Sequence, residues 1–460
     1  MWADFARPDR TQNSFSAQGE NAGIPVRRPG ATRFVCQGFA WRTDGGTAVG
    51  DIIAALDVGT TKICAMIAEV EGEEHLTVLG VGQVPSRGVK RGTVVNVQEV
   101  TSAIGEAVAQ AERTANIRVA NAFVSFSGHH VESVPNRGMV TLSPRGTRSV
   151  TLEDVTRVLE NASAIHLPPN REVIQTLPRM FKVDDQEGIR EPLGMEGFRL
   201  EVDALVITAS TVAVQNLVKC VRANGIEIDG LVLQGIASGM AVLTPEEQEL
   251  GVAVLDVGGG TTDVAIFLEG SPWHVFATQV AGYHLTQDVA IGLRMPLAMA
   301  EALKVRYGHA QPKWVSPDEN VGVEGFGDDS RRTISRHFLA QILEARAEEI
   351  LDLVWRGIKA SGYDGLLPAG VVLTGGSAQL AGFRDLARER LKVPVRIGHV
   401  PDLRGLPEEF HSPMYATVVG LLKWGAKQPG ALSYGQIRSD APQEEDWWGK
   451  MGDWFRRLLP

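Results

Sequence analysis

Cysteine, basic excess and long apolar runs are all scarce in this sequence, and each shortage closes off a class of answers. The three cysteines, Cys36, Cys64 and Cys220, are scattered over 460 residues. They show neither metal-ligand spacing nor a paired framework, which excludes a disulfide scaffold and points to a reducing compartment. The 45 Lys and Arg are outnumbered by 55 Asp and Glu, a net charge of −10. That balance offers no basic face, so no nucleic-acid partner is expected. No apolar run reaches the roughly 18–20 residues of a spanning helix. The opening "MWADFARPDR" lacks the apolar core of a secretory signal. The chain is therefore expected on the cytoplasmic side.

What is present is too long for one compact core, so two or more domains are expected. Residues 1–50 are polar and glycine-rich without a period, and read as a disordered extension. From Asp51 the character changes. "DIIAALDVGTTKICAMIAEV" reads as strand, glycine turn, strand, and about 200 residues later "GVAVLDVGGGTTDVAIFLEG" repeats the theme. Such self-similarity predicts two homologous halves. Between them, "NVQEVTSAIGEAVAQAERTA" places Val97, Val100, Ile104, Val108 and Ala111 on one helical face. Thr151 and Asp154 form a capping-box-like helix start. "REVIQTLPRMFKV" and "FRLEVDALVITAS" read as strands, and "STVAVQNLVKCVRANG" as a helix capped by Gly225.

The repeated loops have a chemical use. Glycines let backbone N–H groups approach phosphate oxygens, and threonine hydroxyls add donors. Gly59, Thr60 and Thr61, followed by Lys62, form the first loop; Gly258, Gly259, Gly260, Thr261 and Thr262 form the second. Asp57 and Asp256 close the preceding strands, where carboxylates can hold a hydrated Mg²⁺. Gly375 and Gly376, after a late strand, can pass beneath a purine. One such loop is an ordinary hairpin turn. Three in this order, with internal repetition, predict an ATP site.

The constellation resembles the actin, heat-shock-chaperone and sugar-kinase ATPase superfamily. "GVGQVPSRGVKRGTVVNVQEV", "AGYHLTQDVA", "EALKVRYGHA" and "VGLLKWG" are similar, within it, to the FtsA family of bacterial cell-division proteins. The resemblance covers about 51–426. It implies an α/β, actin-like (ribonuclease-H-like, duplicated) two-domain ATPase fold. The first actin-like subdomain is then 51–126 with 205–235, and the second is 236–274 with 350–426. Residues 127–204 are an inserted α+β subdomain, and 275–349 a small subdomain closing the cleft. By the same resemblance, Gln234 positions the attacking water, with Asp256 beside it. Gly282 lies at the second phosphate loop, and Glu301 with Lys304 contacts ribose and base. Glu301 and Lys304 have a surface ion pair as their alternative role, Gln234 a structural one, and Asp288 that of a helix cap. Lys62 departs from the register of the superfamily's phosphate lysine, which leaves open the source of charge neutralisation at the terminal phosphate.

The family's partners are implied likewise. The FtsZ C-terminal peptide is expected on 275–349, near the basic residues Arg294, Lys304, Arg306, Arg331, Arg332 and Arg336. A head-to-tail filament is expected through 127–204, together with other division proteins at the inner-membrane septum. Alternatives are another ATPase of the superfamily, or a membrane adaptor that does not hydrolyse ATP.

The end of the chain carries three of its nine tryptophans. Residues 427–443 read as a flexible linker. On a helix over 444–460, Trp447, Trp448, Met451, Trp454, Phe455, Leu458 and Leu459 share an arc of roughly 140°. That amphipathic helix is too short to span a bilayer but can lie in its interface.

Overall fold

The computed structural model describes residues 51–71, 75–143, 146–324 and 331–427. The N-terminal extension and the tail, with Trp447, Trp448, Met451, Trp454, Phe455, Leu458 and Leu459, lie outside the described residues. So does the linker beyond Lys427. Among the described residues no helix is long and apolar enough to cross a membrane.

The first half starts with β1 (Asp51–Val58), β2 (Lys62–Glu71) and β3 (His75–Pro85), paired antiparallel in turn. β2 is almost wholly buried, as its unbroken apolar run requires, whereas β3 alternates at the sheet edge. A short hairpin, Val89–Lys90 with Thr93–Val94, follows. Helix α1 (Val97–Ala115) starts at Asn96, whose side chain accepts from the Glu99 N–H, and buries Val100, Ala103, Ile104, Ala107, Val108 and Ala111. Strand β4 (Asn121–Phe126) then lies parallel to β1.

The chain next builds a four-stranded antiparallel sheet from β5 (Glu132–Thr141), β6 (Arg171–Val183), β7 (Gln186–Ile189) and β8 (Arg199–Ser210), in the order β7-β6-β8-β5. Helix α2 (Leu152–Ser163) covers it around a separate core that includes Val158, Leu159, Phe181 and Leu200. The far end of β8, from Leu205 to Ala209, belongs instead to the main core, so one strand joins insertion to body. Asp154 completes the capping box of α2 while both its oxygens meet Arg148 at 2.6 Å. Its side chain is 1% exposed, and the Arg148 guanidinium holds its carboxyl well below the usual carboxylate range. Asp154→Ala is expected to destabilise the protein by about 2–3 kcal/mol, measured by urea unfolding at pH 7. Because the folded pKa is depressed, this contribution is fully present above the unfolded value of about 3.9. It is lost as the pH falls from there toward the folded value. An equal cost at pH 7 and at pH 2 would contradict the pairing.

Helix α3 (Thr211–Arg222) ends two residues earlier than the glycine signal predicts. The Asn224 amide takes Cys220 O at 2.9 Å and Thr101 O at 3.1 Å, and Gly225, at φ +74°, turns the chain into β9 (Glu227–Leu233). The first sheet is thus ordered β9-β4-β1-β2-β3, and α4 (Gln234–Val242) leaves it.

The second half repeats this topology. β10 (Val252–Val257), β11 (Thr262–Leu268) and β12 (Ser271–Thr278) run antiparallel. Helices α5 (Gly282–Gly292), α6 (Leu297–Tyr307) and α7 (Arg336–Ser361) follow. Strand β13 (Val371–Thr374), helix α8 (Phe383–Leu391) and strand β14 (Val395–Ile397) complete the sheet, ordered β12-β11-β10-β13-β14. Three antiparallel strands followed by two parallel ones occur in the same order in both halves. That is the duplication expected from the repeated loops. Helix α9 (Ala416–Ala426) packs on α4 and reaches back to β1. At Gly420 an added Cβ would lie 1.6 Å from Ala237 O, so only glycine permits that crossing.

Candidate functional site

Both loops close in the same way. Gly59 N–H donates to Lys62 O at 3.0 Å, and Gly258 N–H donates to Thr261 O at 3.0 Å. The strand register pairs Asp57 with Cys64 in the first half and Asp256 with Asp263 in the second. Thr60 and Thr61 therefore correspond in space to Gly259 and Gly260, not to the second Thr-Thr pair that matches them in sequence. They also meet them: a Cβ on Gly259 would lie 2.3 Å from Thr61 Cγ2, and one on Gly260 2.3 Å from Thr60 Oγ1. Two hydroxyl-bearing side chains of one loop fit into the space left by two glycines of the other. Thr262 alternates to the other face of β11 and gives its hydroxyl to Val280 O at 2.8 Å.

The second loop is held from below. Gly258 O accepts from Gly282 N–H at 3.0 Å and from Ser377 Oγ at 2.9 Å, and Gly259 O from Tyr283 N–H at 2.7 Å. The start of α5 and the segment after β13 are thereby fixed to it. Gly375, at φ +84°, needs both its backbone freedom and its bare Cα, because a Cβ would lie 2.4 Å from Asp256 Oδ1. Gly376 follows as the first residue of a short 3₁₀ turn.

Acidic groups crowd the floor. Asp57 Oδ2 lies 3.0 Å from Lys62 Nζ, while Asp57 Oδ1 accepts from Ser125 Oγ at 2.8 Å and from Gln234 Nε2 at 3.2 Å. Burial works against the Lys62 charge, but the charge and hydrogen bond of Asp57, together with Cys64 and Tyr415, hold the pKa above the ordinary lysine value. Lys62 also sits over the Tyr415 ring, 5.0 Å from its centre. Asp256 accepts from Thr417 Oγ1 at 3.0 Å, and burial raises its pKa to about 6. Asp263 accepts from Ser127 Oγ at 2.6 and 2.8 Å and from Thr261 Oγ1 at 2.8 Å; burial lifts it to about 7. The Ser127 contact joins the first half to the second.

Sequence reasoning missed Ser125, Ser127 and Asp263. Asp263 carried a signal, a carboxylate directly after Thr-Thr at a strand start. The serines carried none, because their place depends on β4 lying beside β1. Asp288 caps no helix. It is the seventh residue of α5 and pairs with Arg346 of α7 at 2.5 Å. Glu301 and Lys304 do form an ion pair at 2.7 Å, but not a free surface one. Lys304 Nζ also reaches Thr286 Oγ1 at 3.0 Å and Gly282 O at 3.4 Å, and Thr286 Oγ1 bonds Glu301. The pair is thus anchored beside the second loop.

Buried carboxylates are hard oxygen donors of the kind Mg²⁺ takes, and a cation beside them would favour their ionised form, so the residues present fit that ion. Among the described residues no three His, Cys, Asp or Glu gather to hold a metal alone. A cation here would complete its shell with phosphate oxygens and water.

Comparison with known proteins gives a concordant picture. The family described as "Cell division protein FtsA" matches residues 253–420, and "SHS2 domain inserted in FTSA" matches 128–208. The cell division protein FtsA of Pseudomonas aeruginosa is 41% identical over 397 residues, covering 86% of this chain and 94% of that one. The FtsA of Escherichia coli K12 is 34% identical over 414 residues, covering 88% and 96%. A solved chain of a PilM-PilN type IV pilus biogenesis complex shares the fold, with a TM-score of 0.57 at 17% identity, covering 82% of this chain and 99% of that chain.

Proposed function

The chain belongs to the FtsA family of cell-division proteins, and from that premise we propose that it binds ATP with Mg²⁺ between its two repeats and works as a membrane-bound filament. The observation that carries the nucleotide reading is the facing pair of identically closed loops, Thr60 and Thr61 against Gly259 and Gly260. The two loops meet next to buried carboxylates, and glycine backbone, threonine hydroxyls and carboxylates are the groups that a triphosphate and its cation need. Magnesium would be held near Asp57 and Asp256 and would neutralise phosphate charge there. Glu301 and Lys304, with Gly282, line the nucleoside side, and Gly375–Gly376 passes the base.

Gln234 is assigned to orienting the attacking water. Its Nε2 is fixed by Asp57 Oδ1 at 3.2 Å and Ser125 Oγ at 3.3 Å, so the amide has a defined orientation. Gln234→Ala is expected to lower ATP turnover about tenfold or more with ATP affinity retained, the pattern of a contact made in the transition state. Phosphate release measured beside equilibrium ATP binding checks it. An unchanged turnover number would leave Gln234 a packing residue.

The assigned subdomains are 51–126 with 205–235, the insertion 127–204, 236–274 with 350–426, and the small 275–349. The insertion has a core of its own and carries none of the nucleotide loops, which supports its use against the next subunit of a head-to-tail filament. The small subdomain is assigned to the FtsZ C-terminal peptide. Its basic residues are largely engaged: Arg336 pairs with Glu319 at 2.8 Å, Lys304 with Glu301, and Arg306 stacks on Tyr307. Ile291, Val305, Trp314 and Phe338 are exposed on the same subdomain. Apolar anchoring therefore supports that docking better than a basic patch does. The tail, residues 444–460, is assigned to the inner-membrane surface at the septum, where other division proteins assemble.

A further inference from the structure

We propose that Arg91 recognises the terminal phosphate of ATP and so distinguishes ATP from ADP; this rests on the nucleotide-binding reading above. The two lysines that the sequence places near the nucleotide are both neutralised by the protein itself. Lys62 faces Asp57 at 3.0 Å, and Lys304 faces Glu301 at 2.7 Å. A terminal phosphate entering between the loops needs a cation that is still available.

Arg91 occupies the tip of the hairpin Val89–Lys90/Thr93–Val94. Both central residues of its turn are left-handed, Arg91 at φ +49° and Gly92 at φ +75°. That is the two-residue turn that continues the twist of a hairpin, and it is costly for an arginine. Such a conformation in a non-glycine residue is a pointer to function when the surroundings enforce it. Here they do. Gly92 N–H donates to Thr60 Oγ1 of the first phosphate loop at 3.2 Å. A Cβ on Gly92 would lie 3.0 Å from Ser127 O and 3.1 Å from Thr261 Cγ2 of the second loop. The turn is seated where the two loops meet.

From this seat the exposed Arg91 side chain crosses to the second half. Nη1 donates to Gln279 Oε1 at 3.4 Å, a long bond to a neutral amide. Gln279 stands just before α5, whose Gly282 and Tyr283 N–H groups hold the second loop. Among the described residues no carboxylate pairs with this guanidinium. A phosphate offers it two charged oxygens in the forked geometry a guanidinium matches, and displaces the weak amide bond. ADP has no terminal phosphate to offer, so the contact belongs to ATP alone.

Calorimetric titration of the full chain with ATP·Mg and with ADP·Mg tests this. Arg91→Gln is expected to weaken ATP binding about tenfold or more, with ADP affinity changed less than about twofold. Arg91→Lys should recover part of the loss, because it restores charge without the fork. Gln279→Ala should leave ATP affinity unchanged or raise it, since the bonds it removes, to Arg91 and to His129 Nδ1, are made within the protein and not to the phosphate. The inference is overturned if Arg91→Gln keeps the wild-type ratio of ATP to ADP affinity. It is equally overturned if Gln279→Ala loses as much ATP affinity as Arg91→Gln, which would make the pair a clasp across the cleft. Wild-type protein that binds neither nucleotide would overturn the underlying nucleotide reading instead.

Discussion

Gly259→Val is expected to weaken ATP binding at least about 100-fold, a loss of roughly 2.7 kcal/mol. The first new carbon alone would lie 2.3 Å from Thr61 Cγ2, closer than any real side-chain contact. The two branches of valine add bulk where Thr61 already lies against the glycine. Overfilling a tight contact costs about 1–3 kcal/mol through displaced neighbours. The neighbours displaced here are the phosphate loops themselves. Gly259 O also holds Tyr283 N–H at 2.7 Å, so the loop cannot retreat without releasing α5. Titration with a fluorescent ATP analogue measures the loss, and a thermal melt within a few degrees of wild type shows that the fold persists. Affinity within about threefold of wild type would mean that the nucleotide lies elsewhere.

Truncation after Gln443 is expected to remove the protein from lipid. Wild-type chain should sediment with vesicles of mixed zwitterionic and anionic lipid, and the truncated chain should remain in the supernatant with ATP binding intact. Seven large apolar side chains share one face of the proposed helix, and full burial of each contributes about 1.5–3 kcal/mol. Partial burial in the interface, set against the cost of ordering the segment, leaves a reversible anchor for one chain. Many chains in one filament then hold firmly, because their anchors act together. Lys450, Arg456 and Arg457 are largely offset by Asp446 and Asp453, so added salt should weaken the attachment only slightly. Trp454→Glu should reproduce much of the loss. Sedimentation of the truncated chain at the wild-type level would contradict the anchor.

The duplicated sheets were legible in the sequence because each opens on the same strand, turn and strand, and because buried strands read as unbroken apolar runs. The capping box at Thr151 and Asp154 was legible for a similar reason, since its chemistry is local. The spatial match of the two loops was not. Sequence aligns Thr60 and Thr61 with Thr261 and Thr262, whereas strand pairing sets them against Gly259 and Gly260. The two alignments differ by two positions, and which of them the fold adopts is fixed only when the strands on both sides of each loop are paired.

The electrostatics of the site were hidden in the same way. Lys62 follows the first loop out of register with the superfamily's phosphate lysine, and the sequence leaves its partner open; folding sets it against Asp57 at 3.0 Å. Ser125 and Ser127 read as ordinary strand residues until β4 takes its place beside β1. Arg91 carries no signal in the sequence, and only the seat of its neighbour Gly92 against Thr60 and Thr261 brings it to the loops. Interactions over short chain separations survive in a sequence pattern. Those between residues about 30 to 180 apart, which build this site, do not.

The central claim is that ATP and Mg²⁺ occupy the cleft between the two repeats. Calorimetric titration of ATP·Mg into the purified chain tests it most directly. The prediction is saturable binding of one nucleotide per chain, weakened when Mg²⁺ is chelated and lost in Gly259→Val. No saturable heat at millimolar ATP, or the same affinity in Gly259→Val, would contradict it.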